Sequence, residues 1–267
     1  CIRKSDMKKL KTFFITTVCI YLWICSMAAN STFAQSSTKE KKWNFLTEVY
    51  MLFPNMNGET GIGNNLTVLV DANTGDIFST LKLGGMLYLE ANTKKWAITS
   101  DFVFMNLEKD ITPTTLIPSG ALGVDQYIWE TAGLYRINHF LEVGVGGRLN
   151  HLAAGIEGER NVFPNETEAF SESQSKTFYD PVLITRLSTD IDDKWLFQFR
   201  GDLGGFGVGS DFTWQLQAYA GYRFTKVFQL TGGYRILGID YDKGVDKQRF
   251  IFNMNEFGPV IRLGFNF

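Results

Sequence analysis

Residues 211–224 alternate without interruption. Asp211, Thr213, Gln215, Gln217, Tyr219, Gly221 and Arg223 hold one parity, while Phe212, Trp214, Leu216, Ala218, Ala220, Tyr222 and Phe224 hold the other. A two-residue period sustained this long predicts a strand with two unlike faces. The same reading holds for 140–150, where Glu142, Gly144, Gly146, Arg148 and Asn150 oppose Leu141, Val143, Val145, Gly147 and Leu149. It holds again for 194–203, where Gln198, Arg200 and Asp202 oppose Trp195, Phe197, Phe199 and Leu203. Weaker segments fall near 43–53, 82–91, 95–106, 126–137, 179–190, 226–239 and 249–267, making ten in all. Eight is the count if weak segments are discarded.

The connections between segments are of two kinds. Those at 92–95, 137–139, 191–194 and 225–226 are tight, and an aromatic residue follows each: Trp96, Phe140, Trp195 and Phe228. Pro54–Thr80, Leu107–Asp125 and His151–Thr177 are instead predicted as loops of roughly 20 to 27 residues, with shorter ones at Gly204–Ser210 and Asp240–Gln248. Alternating short and long connections collect the turns at one end of a sheet and the loops at the other. That arrangement predicts an all-β fold, an antiparallel up-and-down transmembrane β-barrel, with the aromatics forming an interfacial girdle.

Composition narrows the class. With 23 Phe, 10 Tyr and 26 Gly against only 6 Pro, the chain favours strands, and 45% hydrophobic with 20% charged residues excludes a disordered chain. From Met7, three lysines (Lys8, Lys9, Lys11) precede an apolar run from Phe13 to Ala29 and a small-residue end at Ala34. This is the order of a secretory signal peptide, so residues 1–34 are expected to be removed, with Met7 as the start and 35–267 as the barrel domain. An uncleaved anchor helix is the alternative. A lipoprotein site at Cys25 is disfavoured by the bulk of Ile24. Removing 1–34 takes all three cysteines, five basic residues and one acid, leaving 21 basic against 27 acidic residues. A mature chain of that sign does not suit nucleic acid. Beyond residue 34 no apolar run is long enough for a spanning helix.

Periodicity does not say which face is outside, but the choice of cation does. Mid-segment cations are Arg148, Arg186, Arg200, Arg223, Arg235 and Arg262, whereas Lys94, Lys95, Lys109, Lys176, Lys194, Lys226, Lys243 and Lys247 fall in predicted turns and loops. A confined lumen favours the rigid guanidinium fork paired with carboxylates. The face shared with Glu48, Glu90, Asp101, Glu130, Glu142 and Asp202 is therefore expected to point inward and to form a lumen charge network. Phe257, Pro259, Ile261, Leu263, Phe265 and Phe267 hold one parity of the last segment. An alternating apolar strand closed by Phe resembles the signal by which the barrel-assembly machinery recognises its clients, which makes Leu263, Phe265 and Phe267 the candidate assembly signal.

The run from Arg200-Gly201-Asp202-Leu203-Gly204-Gly205-Phe206-Gly207 to Thr213-Trp214-Gln215, with Gly221-Tyr222-Arg223-Phe224, Gly233-Tyr234-Arg235 and Asp240-Tyr241-Asp242, resembles a family of small, porin-like bacterial outer-membrane β-barrel proteins. The match is specific over about 45 residues and looser elsewhere. The resemblance implies a fold and a Gram-negative outer-membrane location. It brings no substrate and no catalytic residue.

Other chemistry is weakly signalled. His139 and His151 are the only histidines and fall at opposite ends of the predicted strands, which argues against an enzyme and against a zinc site. Gly205-Phe206-Gly207-Val208-Gly209 imitates a phosphate loop, but no helix pattern follows it, and a hairpin loop is the simpler reading. Arg200-Gly201-Asp202 spells an adhesion tripeptide but lies within a predicted strand. Asp240-Tyr241-Asp242-Lys243-Gly244 lacks the closing glutamate of a calcium loop. Glu157, Glu159, Glu166, Glu168 and Glu172 make the third long connection acidic, as a solvated loop or a cation-binding surface.

Three functions follow as expectations. The first is a porin-like or structural barrel with a narrow or closed lumen, passing ions or small solutes at most. The second is a loop-mediated binding or adhesion protein. The third is an exported soluble barrel, which would place the aromatic parity inside. No cofactor is expected, and the expected partners are outer-membrane lipid and the assembly machinery.

Overall fold

A computed structural model of the chain describes residues 43–62, 66–110, 119–162, 166–192 and 194–267. The predicted signal segment, 1–34, lies outside the described residues. In chain order the elements are β1 (Asn44–Leu52), β2 (Asn55–Ile62), β3 (Leu66–Ala72), α1 (Thr74–Thr80), β4 (Leu81–Asn92), β5 (Trp96–Asp110), β6 (Ser119–Arg136), β7 (Leu141–Val162), β8 (Glu166–Ile191), β9 (Trp195–Gly204), β10 (Phe212–Arg223), β11 (Phe228–Lys243) and β12 (Phe250–Asn266). Every strand from β4 to β12 pairs antiparallel with the next, β4 pairs with β1, and β1 pairs with β12, so ten strands close a barrel. Closure is complete to the last residue, since Phe45 and Phe267 exchange backbone hydrogen bonds at 3.2 and 2.9 Å.

The alternation falls as the cation argument requires. In β10 the parity of Thr213, Gln215, Gln217 and Tyr219 is buried, while Phe212, Leu216, Ala218 and Ala220 are exposed. Ile261, Leu263 and Phe265 of β12 likewise face out, opposite buried Val260 and Arg262. A continuous apolar exterior on this scale is a membrane surface, not the scattered exposure of a soluble protein. It removes the soluble barrel, whose aromatic parity would be inside.

Edge-on ring pairs Trp96–Tyr135 and Trp195–Tyr222, at 4.9 and 5.0 Å, mark the short-turn end. Stacked Phe104–Tyr127, at 4.7 Å, marks the other. Eight residues separate Trp96 from Phe104, and a strand tilted by about 40° climbs about 21 Å in that distance, close to the height of an outer-membrane apolar band.

Three of the expected long loops are largely regular structure. β5 and β6 run on to Asp110 and from Ser119, and β7 and β8 pair continuously from Leu141↔Leu187 to Val162↔Glu166. Crossing the membrane takes about ten residues of each strand, so the outer halves of β7 and β8 rise beyond it, with β7 backed by β6 as far as Ser119↔Glu159 and β8 left as an open edge beyond Val182↔Gly204. Pro54–Thr80 holds the β2–β3 hairpin and α1. β2 prolongs β1 along the outer half of β12 after an interruption at Phe53-Pro54. Gly258 is required there, because a Cβ would lie 1.9 Å from the Phe53 carbonyl oxygen.

At the interruption the β1–β4 ladder stops at Val49↔Leu87. Three residues further on, the Leu52 amide donates to the Met86 sulfur at 3.2 Å, a weak acceptor in place of a strand carbonyl. α1 begins at an Asn73 capping box, in which the Asn73 side chain accepts from the Gly75 and Asp76 amides and the Asp76 side chain accepts from the Asn73 amide. Its Ile77 is buried, and together with Phe78 it borders the same small apolar cavity as Leu52 and Met86.

On the opposite side the rim is low. β9 ends at Gly204, and residues 205–211 form a compact loop with Gly205, Phe206 and Gly207 all at positive φ. The loop is pinned by Asp180, which accepts from the Ser210 amide at 2.6 Å and from its hydroxyl at 2.8 Å. Strand β10 follows it directly, so no phosphate-binding helix exists here.

Candidate functional site

The inward face of the ten strands carries most of the chain's buried charge. Near the short-turn end, Arg186 of β8 bridges Glu142 of β7 and Glu90 of β4, each at 2.5 Å. Glu142 also takes two bonds from Arg136, at 2.9 and 2.7 Å, and the Tyr88 hydroxyl donates to Glu90 at 2.6 Å. One strand pair away, Arg148 donates to Glu130 and to Asp202, both at 2.7 Å. Arg200 meets the same two carboxylates, and Gln215 donates to Asp202 at 2.9 Å. Arg200 and Asp202 therefore face the lumen, and the adhesion tripeptide is not displayed.

The third group completes the ring. Arg262 donates to Glu48 at 3.0 Å and to the Tyr219 hydroxyl at 2.8 Å. Its guanidinium stands 4.0 Å from the Tyr219 ring centre and 4.9 Å from that of Tyr50, so cation–π contact adds to the ion pair. Arg235 reaches Asp101 at 3.4 Å and the Tyr50 hydroxyl at 3.0 Å, and that hydroxyl donates to Asp101 at 2.6 Å. Isolated charges could not sit in such a place; paired and hydrogen-bonded ones can.

Above the charges the lumen turns apolar. Val103, Ile128, Leu152, Phe178, Leu237, Ile239, Tyr241, Phe250, Phe252 and Met254 form one buried cluster, with Met56 of β2 and Val70 of β3 packed against it. Phe178 stacks on Tyr241 at 4.4 Å. Two polar links, Asn150 to Asp180 at 2.9 Å and Gln126 to Glu256, lie among these residues. The interior is thus filled in two tiers, ion pairs below and an apolar cap above.

Of the predicted network, Arg148, Arg186, Arg200, Arg235, Arg262, Glu90, Glu130, Glu142 and Asp202 are all buried in this interior. Arg223 is the exception. It ends β10 at the turn, half-buried, its amide bonded to the Lys194 carbonyl at 2.8 Å, because β10 stops one residue before the segment read from the pattern. Sequence reasoning missed Arg136, Tyr50, Tyr88 and Asp180. Tyrosine hides in such a reading because it fits either face, although Tyr219 on the polar parity was a visible signal. The Phe267 amide and carbonyl close the barrel onto β1, and Phe265 and Leu263 lie outward beside it. Among the described residues no group of three or more His, Cys, Asp or Glu side chains is placed to hold a metal ion. His139 lies in a turn, and His151 lies far along β7 with its ring bonded to Thr177 at 2.7 Å.

A closed antiparallel barrel with an apolar exterior, aromatic belts at both ends and a polar interior is a bacterial outer-membrane β-barrel. No protein-family model and no curated protein matches the chain. Solved structures that align with it include Ail, the attachment invasion locus protein of Yersinia pestis, at 10% identity over 85% of this chain and 100% of that one, with a TM-score of 0.36. The outer membrane protease OmpT from Escherichia coli aligns at 9% identity over 88% and 99%, TM-score 0.43. A FadL homologue of Pseudomonas aeruginosa aligns at 8% identity over 85% and 90%, TM-score 0.37.

Proposed function

We propose that this outer-membrane barrel is a closed scaffold whose work is done by the strands it raises beyond the membrane. The observation that carries this reading is Arg148, which has no exposed surface and whose ion pairs, with those of Arg200, tie β6, β7 and β9 together within the lumen. With the apolar cap above it, such an interior leaves no continuous polar path for a solute. The β7–β8 ribbon, rising past the membrane, is the natural binding surface. Export on the predicted signal peptide, cleavage near Ala34 and insertion by the barrel-assembly machinery complete the reading.

The test is conductance of the folded, detergent-extracted protein in a planar bilayer. Silence with insertion shown independently supports a closed scaffold, and reproducible current steps in the unmodified protein overturn it. A narrow, porin-like ion path is the second reading, favoured by one imbalance. Among the described residues nine carboxylates (Glu48, Glu90, Asp101, Asp125, Glu130, Glu142, Asp180, Asp202 and Glu256) are buried against five arginines, so any current should be carried by cations. Anion-selective steps would rule out that second reading.

A further inference from the structure

The outer half of β8 is paired on one edge only. β7 follows it without a register shift from Leu141↔Leu187 to Val162↔Glu166, but β9 leaves it at Val182↔Gly204. Two bonds show which backbone groups are left over. The Ser188 amide donates to the Phe140 carbonyl at 2.9 Å, so even-numbered residues turn their amides and carbonyls toward β7. The Gly205 amide donates to the Pro181 carbonyl at 3.1 Å, so odd-numbered residues turn theirs the other way. The 205–211 loop covers that side as far up as Tyr179, whose carbonyl oxygen would lie 2.3 Å from a Cβ on Gly209. Above it Thr167, Ala169, Ser171, Ser173, Ser175 and Thr177 turn their amides and carbonyls outward along about 35 Å, where no strand among the described residues meets them.

This edge is long and bare. Edge strands are commonly blunted by proline, a bulge or shortness. Residues 167–177 hold no proline, no glycine and no bulge, and the six that face the edge are exposed and no larger than threonine. Such a row is completed by another extended chain. Two copies in one membrane that met through this edge would be related by a two-fold axis along the membrane normal, which sets each amide level with its own counterpart, donor facing donor. Charge selects among other chains. Residues 151–177 carry Glu157, Glu159, Glu166, Glu168 and Glu172 against Arg160 and Lys176, so a copy on a facing membrane would bring the same acidity and be repelled. Resting on the binding role given above to the ribbon, we propose that the β8 edge takes up a basic, extended segment of another protein as an added strand, its backbone paired along Thr167 to Thr177 and its positive charge offset by the ribbon's acidity.

The edge can be closed without harming the fold. Proline already stands in β8 at the same parity, at Pro181, because no bond to β7 needs an amide there. Ser173→Pro likewise removes an edge amide and spares the β7 ladder, which makes it the informative variant. The folded protein in detergent is titrated against a fluorescein-labelled (Lys-Thr)6 peptide and binding is read by anisotropy, with folding verified by heat-modifiable gel mobility. Two further peptides serve as comparisons: (Glu-Thr)6, of opposite charge, and (Lys-Pro-Pro)6, of equal charge but unable to form a ladder.

The unmodified protein is expected to bind (Lys-Thr)6 and neither comparison peptide. In Ser173→Pro affinity should fall about tenfold, the weight of a lost backbone hydrogen bond and an interrupted ladder. Absence of (Lys-Thr)6 binding overturns the proposal, as does equal affinity in Ser173→Pro or for (Lys-Pro-Pro)6, which would mean attraction by charge without pairing. Equal binding of (Glu-Thr)6 overturns the basic partner. A dimer of the protein that disappears in Ser173→Pro also overturns it, by giving the edge to a second copy of the chain. Peptide binding is read whether or not the lumen conducts, so current steps would overturn the closed scaffold alone, and failed binding in a silent barrel would overturn the edge alone.

Discussion

Arg148 and Glu130 stand directly opposite each other on β7 and β6, and the guanidinium places two hydrogen bonds, of 3.0 and 2.7 Å, on one carboxylate oxygen. The other Glu130 oxygen takes Arg200 from β9. One carboxylate thus joins two strands that share no ladder, and losing either arginine leaves Glu130 and Asp202 sharing a single cation, with one buried negative charge uncompensated.

Replacing Arg148 or Arg200 with Leu should lower stability by about 3–5 kcal/mol, because one arginine then faces two carboxylates and the excess negative charge cannot reach water. Equilibrium unfolding in urea from detergent micelles measures it. An unchanged midpoint would mean that the lumen is wet and the pairing carries little.

Asp180 should govern the low rim. In Asp180→Ala the Ser210 amide and hydroxyl and the Asn150 amide lose their acceptor, a change worth about 1–3 kcal/mol at a buried site. Hydrogen exchange should quicken across 205–211 while β9 and β10 stay protected. Exchange confined to its original rate would show that the glycine conformations alone hold the loop.

Acid should loosen the β11–β12 tip before the barrel. Hydrogen bonding from Arg249 holds the Asp242 carboxyl below its ordinary value. A carboxyl lowered by folding contributes stability above its unfolded pKa of about 3.9 and loses that contribution as pH falls through the folded value. Protection of the amides around 242–249, taken relative to their intrinsic exchange rates, should therefore fall only below about pH 4. Asp242→Asn should show the faster exchange at neutral pH and no further acid step.

Phe267→Ser should slow assembly more than it weakens the finished barrel. The backbone bonds between residues 45 and 267 survive the substitution, while the outward aromatic beside Phe265 is lost. The observable is the rate at which the heat-modifiable folded form appears in cells, compared with the unfolding midpoint of the purified protein. Equal assembly rates would deny Phe267 a part in recognition.

The membrane-spanning barrel was legible because its two solvents differ. Gln217 and Ala218 are neighbours that could not exchange places, so alternation was strict, and choosing arginine over lysine told inside from outside. Beyond the membrane both faces of a strand meet water. There Glu157 to Lys176 lose the alternation yet keep the ladder, so a ribbon reads as a loop. α1 was hidden for another reason. Seven residues are too few to show a helical period, and only the Asn73 and Asp76 spacing marks its start. The ion-pair partners were legible as a set but not as pairs, since Arg186 meets Glu90 across strands whose relation depends on the curvature of the whole cylinder.

The seam where Leu52 turns from strand pairing to the Met86 sulfur has a mechanical meaning. A closed cylinder can lose its shape only by tearing, and a tear needs a place to start. The β1–β4 ladder is the shortest junction of the barrel, so an attacker has the fewest amide–carbonyl bonds to break there, and beyond its end a thioether holds the last amide. Under lateral strain the cylinder should part first between β1 and β4, from the outer side inward, with α1 lifting away ahead of the split.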